Sequence, residues 1–222
     1  MERLNLFEAS HKGIRHGIQQ LSFLAGNTDY TKPEPVKKLY ALGKDLFLLL
    51  NIHAAEEDGM IIAELEKKVP NSSKHDIEEH EAIETEQQQL EKMLDEIYDG
   101  ARNHGDMTEL GNRFYFELNL FYSQYLVHMA DEETDTMNLL WNNFTDEELA
   151  QIRKRIIVQF TPEVAMKWQR FIIPSLSPAQ RVEVLKSIKA NIPKQSYNAY
   201  LNIVEKNLPA EEFTDLLNKL NN

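Results

Sequence analysis

The segment NIHAAEEDGM, residues 51–60, returns as LVHMADEETD at residues 126–135. With His53 laid on His128, Ala55 meets Ala130, Glu56 meets Asp131, Glu57 meets Glu132 and Asp58 meets Glu133. The repeat constrains the fold because each copy lies inside a long stretch of helical periodicity. Around the first, Leu39, Leu42, Leu46, Leu50, His53, Glu57 and Met60 recur at three- and four-residue steps. Around the second, Phe114, Leu118, Phe121, Tyr125, His128 and Glu132 do the same. A histidine and a glutamate four residues apart share one helical face. An apolar stripe that carries an imidazole and a carboxylate must satisfy both inside the core it builds, since unpaired buried charge is costly.

Two more stripes match these. A first helix is expected from about Asn5 to Ala25, with Phe7, His11, Ile14, Ile18 and Leu21 in step, ending at the breaker cluster GNTDYTKPEP. A third runs from about His75 to Asp99, with Ile77, His80, Ile83, Leu90, Leu94 and Ile97 in register. The second and fourth span about Val36 to Lys68 and Asn112 to Trp141, and VPNSS ends the second, with Ser72 or Ser73 placed to cap the next. Four long amphipathic helices with short connections predict an all-α, up-down-up-down four-helix bundle over residues 1–144. Residues 145–222 read differently. Thr145 to Glu148 forms a capping box, and Thr161-Pro162 and Ser177-Pro178 are N-cap plus first-turn pairs. This predicts a C-terminal extension of four or five short helices.

Each long stripe carries one histidine: His11, His53, His80 and His128. His11 and His80 lie near the starts of their helices, His53 and His128 towards the ends of theirs. In an antiparallel bundle these places share one level, to within about a turn and a half at ~1.5 Å per residue. Glu57, Glu84 and Glu132 each follow a stripe histidine by four residues. A divalent metal would offset the cost of burying these carboxylates and orient the imidazoles. Imidazole and carboxylate without sulfur suit iron, manganese or zinc. Seven protein ligands exceed what one ion uses, whereas two ions bridged by carboxylates would use them well. For any single stripe histidine the alternative is a core residue bonded to a carbonyl. His16, His75 and His104 fall off the stripes and are expected at the surface. Tyr125, one turn before His128, is expected as core with its hydroxyl satisfied, the alternative being a hydrogen-bond donor to a bound oxygen species or a bridging glutamate.

Composition narrows the rest. In 222 residues there are 36 acidic and 24 basic side chains, a net charge of −12. The basic cluster IRKRIIVQF, 152–160, reads as a solvated helix face, so no nucleic-acid partner is expected. The absence of cysteine removes disulfides and thiolate chemistry. MERLNLFEAS has no apolar leader, and LFLLL at 46–50 is too short to span a bilayer, so a cytoplasmic protein without membrane contact is the expectation.

Taken together, SHKGIRHGI, HAAEED, EEHEAIE and HMADEE resemble the histidine motifs of the hemerythrin-like, or HHE cation-binding, family, over roughly residues 5–141. The first motif favours His11 over His16. The resemblance implies a four-helix bundle holding two iron ions with an oxo or hydroxo bridge. It assigns His11 and His53 to one iron and His80 and His128 to the other, with Glu57 and Glu132 bridging. Members of the family bind O2, sense oxygen or iron, or handle NO and peroxide.

This chain departs from the oxygen-carrier pattern at Glu84, where carriers have a second histidine. Carriers also place the last bridging carboxylate five residues after its histidine, which here is Glu133. Glu132 is preferred, because it matches Glu57 in the repeat. Glu84 as a hard, anionic ligand would favour ferric iron and argue against reversible O2 carriage. Binding or sensing of O2, NO or iron is therefore the leading expectation. A di-iron oxidase or peroxidase and a helical interaction protein with a structural metal are the alternatives. The extension, leaving the bundle at the metal end, is expected to shield the centre through MKWQRFIIPSLSPAQR, 166–181; a homodimerisation or merely stabilising module is the alternative.

Overall fold

The computed structural model describes residues 3–191 and 194–221, and among them there is no strand. In chain order the helices are α1 Glu8–Asn27, α2 Pro33–Glu56, α3 Ala63–Lys68, α4 Lys74–Arg102, α5 Thr108–Asp131, α6 Met137–Asn143, α7 Asp146–Gln159, α8 Pro162–Ser175, α9 Pro178–Asn191, α10 Lys194–Asn207 and α11 Ala210–Asn221. Two π-helical turns, Glu57–Ile62 and Glu132–Thr136, join α2 to α3 and α5 to α6 without leaving helical backbone angles. The second and fourth long helices of the sequence are therefore continuous rods with one widened turn each. α2 starts earlier than the breaker cluster suggests. Pro33 opens it, because proline's fixed φ suits the first turn and its missing N–H is no loss there.

The chain divides into two compact units. The first comprises the residues up to Glu8 together with Gly17–Gln159. In it the part of α1 from Gly17 on closes a ring with α2, α4 and α5. Ser22 on α1 bonds Asn119 on α5 at 2.7 Å. Gly43 on α2 lies so close to Leu94 on α4 that a Cβ there would stand 2.4 Å from a leucine methyl. Tyr40 and Tyr98 stack at 4.0 Å between the same pair of helices. This is the four-helix bundle that the stripes predict. Beyond the π turns a separate apolar cluster gathers Phe7, Ile61, Leu65, Met137, Leu140 and Phe144 with Leu149 and Ile152 of α7. The first unit thus runs past residue 144 to Gln159, because α7 buries its apolar face against the end of the bundle.

The second unit comprises Ala9–His16 and the residues from Phe160 on. Ile173, Leu176, Leu185, Tyr197, Val204, Leu208 and Leu216 form its core. Buried Arg181 donates to the carbonyls of Ile173 and Pro174 and pairs with Glu212. The expected caps form. Thr145 and Glu148 exchange bonds at 3.2 and 2.8 Å, Thr161 accepts from the Val164 N–H, and Ser177 and Gln180 close a second capping box. Ser73 stands at the N-cap of α4, but its side chain makes no capping bond. The Glu66 carboxylate instead takes the Asn71 and Ser73 N–H groups, both at 2.7 Å. No helix of the described residues is long and apolar enough to cross a membrane.

Candidate metal centre

The stripe histidines are buried, and the π turns begin at the two repeated glutamates. An ordinary helix would continue from Glu57 to Met60 and Glu64 on the inner face. The widened turn inserts one residue and rotates the remainder of the rod by about 100°. Ile61, Ile62 and Leu65 are consequently buried while Met60 is half-exposed. In the other copy Thr136, Met137 and Leu140 take the inner face. Each π turn lets one rod present a carboxylate to the centre and still bury its apolar tail.

Within the first unit Glu57, His80, His128 and Glu132 form one compact buried group. His80 Nε2 and His128 Nε2 face each other at 3.1 Å. His80 Nε2 lies 3.5 Å from a Glu132 oxygen and 3.7 Å from Glu57 Oε2, and His128 Nε2 lies 3.3 Å from Glu132 Oε2. The other Glu57 oxygen, Oε1, stands 3.0 Å from His53 Nε2. Glu57 therefore has one oxygen on the α2 imidazole and the other towards the α4 imidazole, while Glu132 lies between His80 and His128.

Both inner rings are held from behind by carboxylates. His80 Nδ1 bonds Asp58 at 2.7 Å, and His128 Nδ1 bonds Glu79 at 3.1 Å. With both Nδ1 atoms donating, the two Nε2 lone pairs point at each other, which needs a cation or a proton between them. In the metal-free chain a proton fills that place. Burial works against a charged His80, yet Asp58, Glu132 and Glu57 outweigh it and raise its pKa to about 10. Protonated His80 then donates from Nε2 to His128, and His128 donates from Nδ1 to Glu79. Two carboxylates and two inward imidazole nitrogens at one point, without sulfur, are the donor set of a hard or borderline divalent cation.

His53 joins this set through Glu57. His11 is buried on α1, in line with Phe7, Ile14, Ile18 and Leu21 on one helix face. Glu132 is buried and belongs to the group, whereas its neighbour Glu133 is half-buried and does not. The structure leaves Glu84 out. It is exposed and accepts a bond from Gln88 at 3.0 Å. The inner line of α4 runs His80, Gln87, Leu90, Leu94, Ile97, and residue 84 is turned about 90° from its middle. His75 and His104 are exposed as expected. His16 is not a surface residue: it is half-buried, its Nε2 makes no hydrogen bond among the described residues, and burial lowers its pKa.

The spacing rules missed three groups. Asp58 and Glu79 each adjoin a cluster residue in sequence and bond a ring on another helix, so no single-helix pattern finds them. Asp76, one turn before His80, is buried and accepts from Thr136 Oγ1 at 3.1 Å. Burial raises its pKa, Thr136 opposes this, and nearby Glu132 adds to it. Tyr125 is core, 3% exposed, with its ring edge-on to His128 at 5.7 Å. Its hydroxyl makes no hydrogen bond to a described residue. Burial and the charges of Glu57 and Glu132 keep its phenol protonated, well above the usual pKa.

A bundle that closes imidazoles and carboxylates in its core around one point is a cation-binding protein. The chain belongs to the hemerythrin family: the model of the hemerythrin HHE cation-binding domain matches residues 3–140. A BRUTUS-like zinc finger protein of Arabidopsis thaliana is 25% identical over 190 residues, covering 86% of this chain but 15% of that protein. This chain thus spans a small fraction of the curated relative it matches. No solved structure matches it.

Proposed function

We propose that the chain is a non-heme di-iron protein that binds or senses O2, NO or iron, and that it is not a reversible O2 carrier. In this reading His11 and His53 hold one ion, His80 and His128 the other, and Glu57 and Glu132 bridge them. The observation that carries it is the facing pair of imidazole nitrogens, 3.1 Å apart, with both outer nitrogens committed to carboxylates. The repeat and the family membership support two ions rather than one, and burial of His11 on the apolar stripe of α1 supports its inclusion. Glu84, exposed and bonded to Gln88, is not proposed as a ligand. The histidine that carriers place at that position therefore has no substitute here, which supports a centre with fewer imidazoles than a carrier's.

An iron pair held this way supplies one-electron redox steps and a binding position for a small oxygen- or nitrogen-containing ligand. The protein's own part is to orient. Asp58 and Glu79 fix the ring tautomers, and the buried glutamates hold charge that only cations match. Metal analysis with an optical spectrum tests the reading. Two irons per chain and near-ultraviolet absorption of the oxidised protein are expected, whereas a colourless zinc protein would replace it with a structural-metal role. Mixing the reduced protein with O2 or peroxide then separates a binding or sensing protein from an oxidase or peroxidase, because only the enzyme consumes them repeatedly.

A further inference from the structure

A buried charged site needs a way in, and two surface grooves of the first unit differ in what they reach. The one between α1 and α5, lined by residues such as Gln19, Phe23, Asn112 and Tyr115, has no carboxylate on its wall and touches no member of the cluster. The other, about 740 Å3, runs between α2 and α4 and has buried His80 and Tyr125 on its wall. Its sides carry Asp58, Glu81, Glu84, Glu91 and Asp95 against Lys92. Lys44 offsets part of this charge, at 3.6 Å from Glu91 and 3.3 Å from Asp95. Glu81 and Glu84, at the level of His80, have no cation within ion-pair distance among the described residues.

We propose that this groove is the port through which a hydrated divalent cation reaches the buried donors, a proposal that rests on the metal-binding reading above. The charge is graded in depth. Glu81 and Glu84 are exposed on the wall, Asp58 is half-exposed, and behind Asp58 stands His80, bonded to it at 2.7 Å. A cation following the carboxylates inward meets Asp58 last and His80 next.

Tyr125 supplies an observation independent of charge. It is a polar side chain 3% exposed, on the wall of the groove, whose hydroxyl has no hydrogen-bond partner among the described residues. A phenol oxygen there can accept from the water shell of an arriving cation and take part in stripping it. The same charge repels anions, so the port selects for the free divalent ion over anionic chelates. It also gives Glu84 a place: at i+4 from a stripe histidine it faces the path to the centre rather than the centre itself.

The test is the rate at which metal-free full-length protein takes up Fe2+ anaerobically, measured by stopped-flow, with the final iron content measured separately. Glu81→Lys with Glu84→Lys should slow uptake by ~10-fold at low salt, and the difference should collapse towards ~0.5 M salt, with stoichiometry unchanged. The control pair Asp99→Asn with Glu109→Gln, exposed carboxylates outside the groove, should load like wild type. Ala55→Trp, an exposed groove position, should slow uptake at all salt concentrations by narrowing the path. Full iron content with wild-type rates in both groove variants would overturn the port and leave the metal reading standing. Wild-type protein that takes up no iron would overturn the metal reading, and the port with it.

Discussion

The two copies of the His-x-x-x-Glu segment are alike in what they offer the centre and unlike in what holds them. In both, a buried histidine precedes a buried glutamate by one turn, and the glutamate opens a π turn. After Glu57 comes Asp58, which reaches across to α4 and fixes His80. In the α5 copy the support runs the other way, from Glu79 on α4 to His128. One turn further on, the α5 copy places Thr136 on the buried carboxylate of Asp76, where the α2 copy has Ile61 and Ile62 buried instead. The repeat thus supplies matching donors, while the orientation of those donors comes from whichever neighbouring side chain is within reach.

Experiment can show how far the likeness between the copies goes. The largest effect should come from the metal itself. Stripping it removes the cation from among the buried carboxylates of Glu57 and Glu132, so the metal-free chain should lose on the order of 3–5 kcal/mol. Unfolding midpoints by calorimetry that are equal with and without chelator would contradict this.

Next, the two glutamates should not be equivalent. Glu57 faces His53 with one oxygen and His80 with the other, so in the proposed two-ion centre Glu57→Ala should abolish binding of both ions. Glu132→Ala should leave the His53 side able to bind, and iron analysis should read near zero and near one ion per chain respectively.

Asp58→Asn and Glu79→Gln probe the unlike supports, and each should weaken metal affinity by about 10–100-fold without unfolding the protein. If only one of them matters, the two halves differ in function and not only in sequence.

Thr136→Val leaves Asp76 buried without its hydroxyl partner, at a cost of about 1–3 kcal/mol that chemical denaturation would reveal. A change confined to metal affinity would show that Asp76 acts on Glu132 instead. Smallest of all, Gly59→Ala in the first π turn should stabilise by about 0.5–1 kcal/mol, since a Cβ there meets nothing within 4 Å. A loss of stability would mean the widened turn needs glycine.

The bundle was readable along the chain because its information is local. Apolar steps of three and four residues, proline starts and hydroxyl caps recur within a turn or two of each other, and the capping box at Thr145 and the N-caps at Thr161 and Ser177 formed as the residue types require. The inner donors were readable for the same reason, since His53 with Glu57 and His128 with Glu132 are neighbours on one helix face. Glu84 shows the limit of that rule. It has the same spacing from a histidine, but its helix buries the line through Gln87 and Leu90, and the rotation of a rod about its own axis is set by what packs against it.

Periodicity and length alone therefore specify four amphipathic rods and the stripe that each one buries. Packing was needed to settle which of three equally spaced glutamates turns inward, and that Asp58 and Glu79 hold rings on other helices. It also settled that two helices widen by one residue at the centre. Those outcomes depend on contacts between segments far apart in the chain, where a shift of one residue on one rod changes which face meets its neighbour.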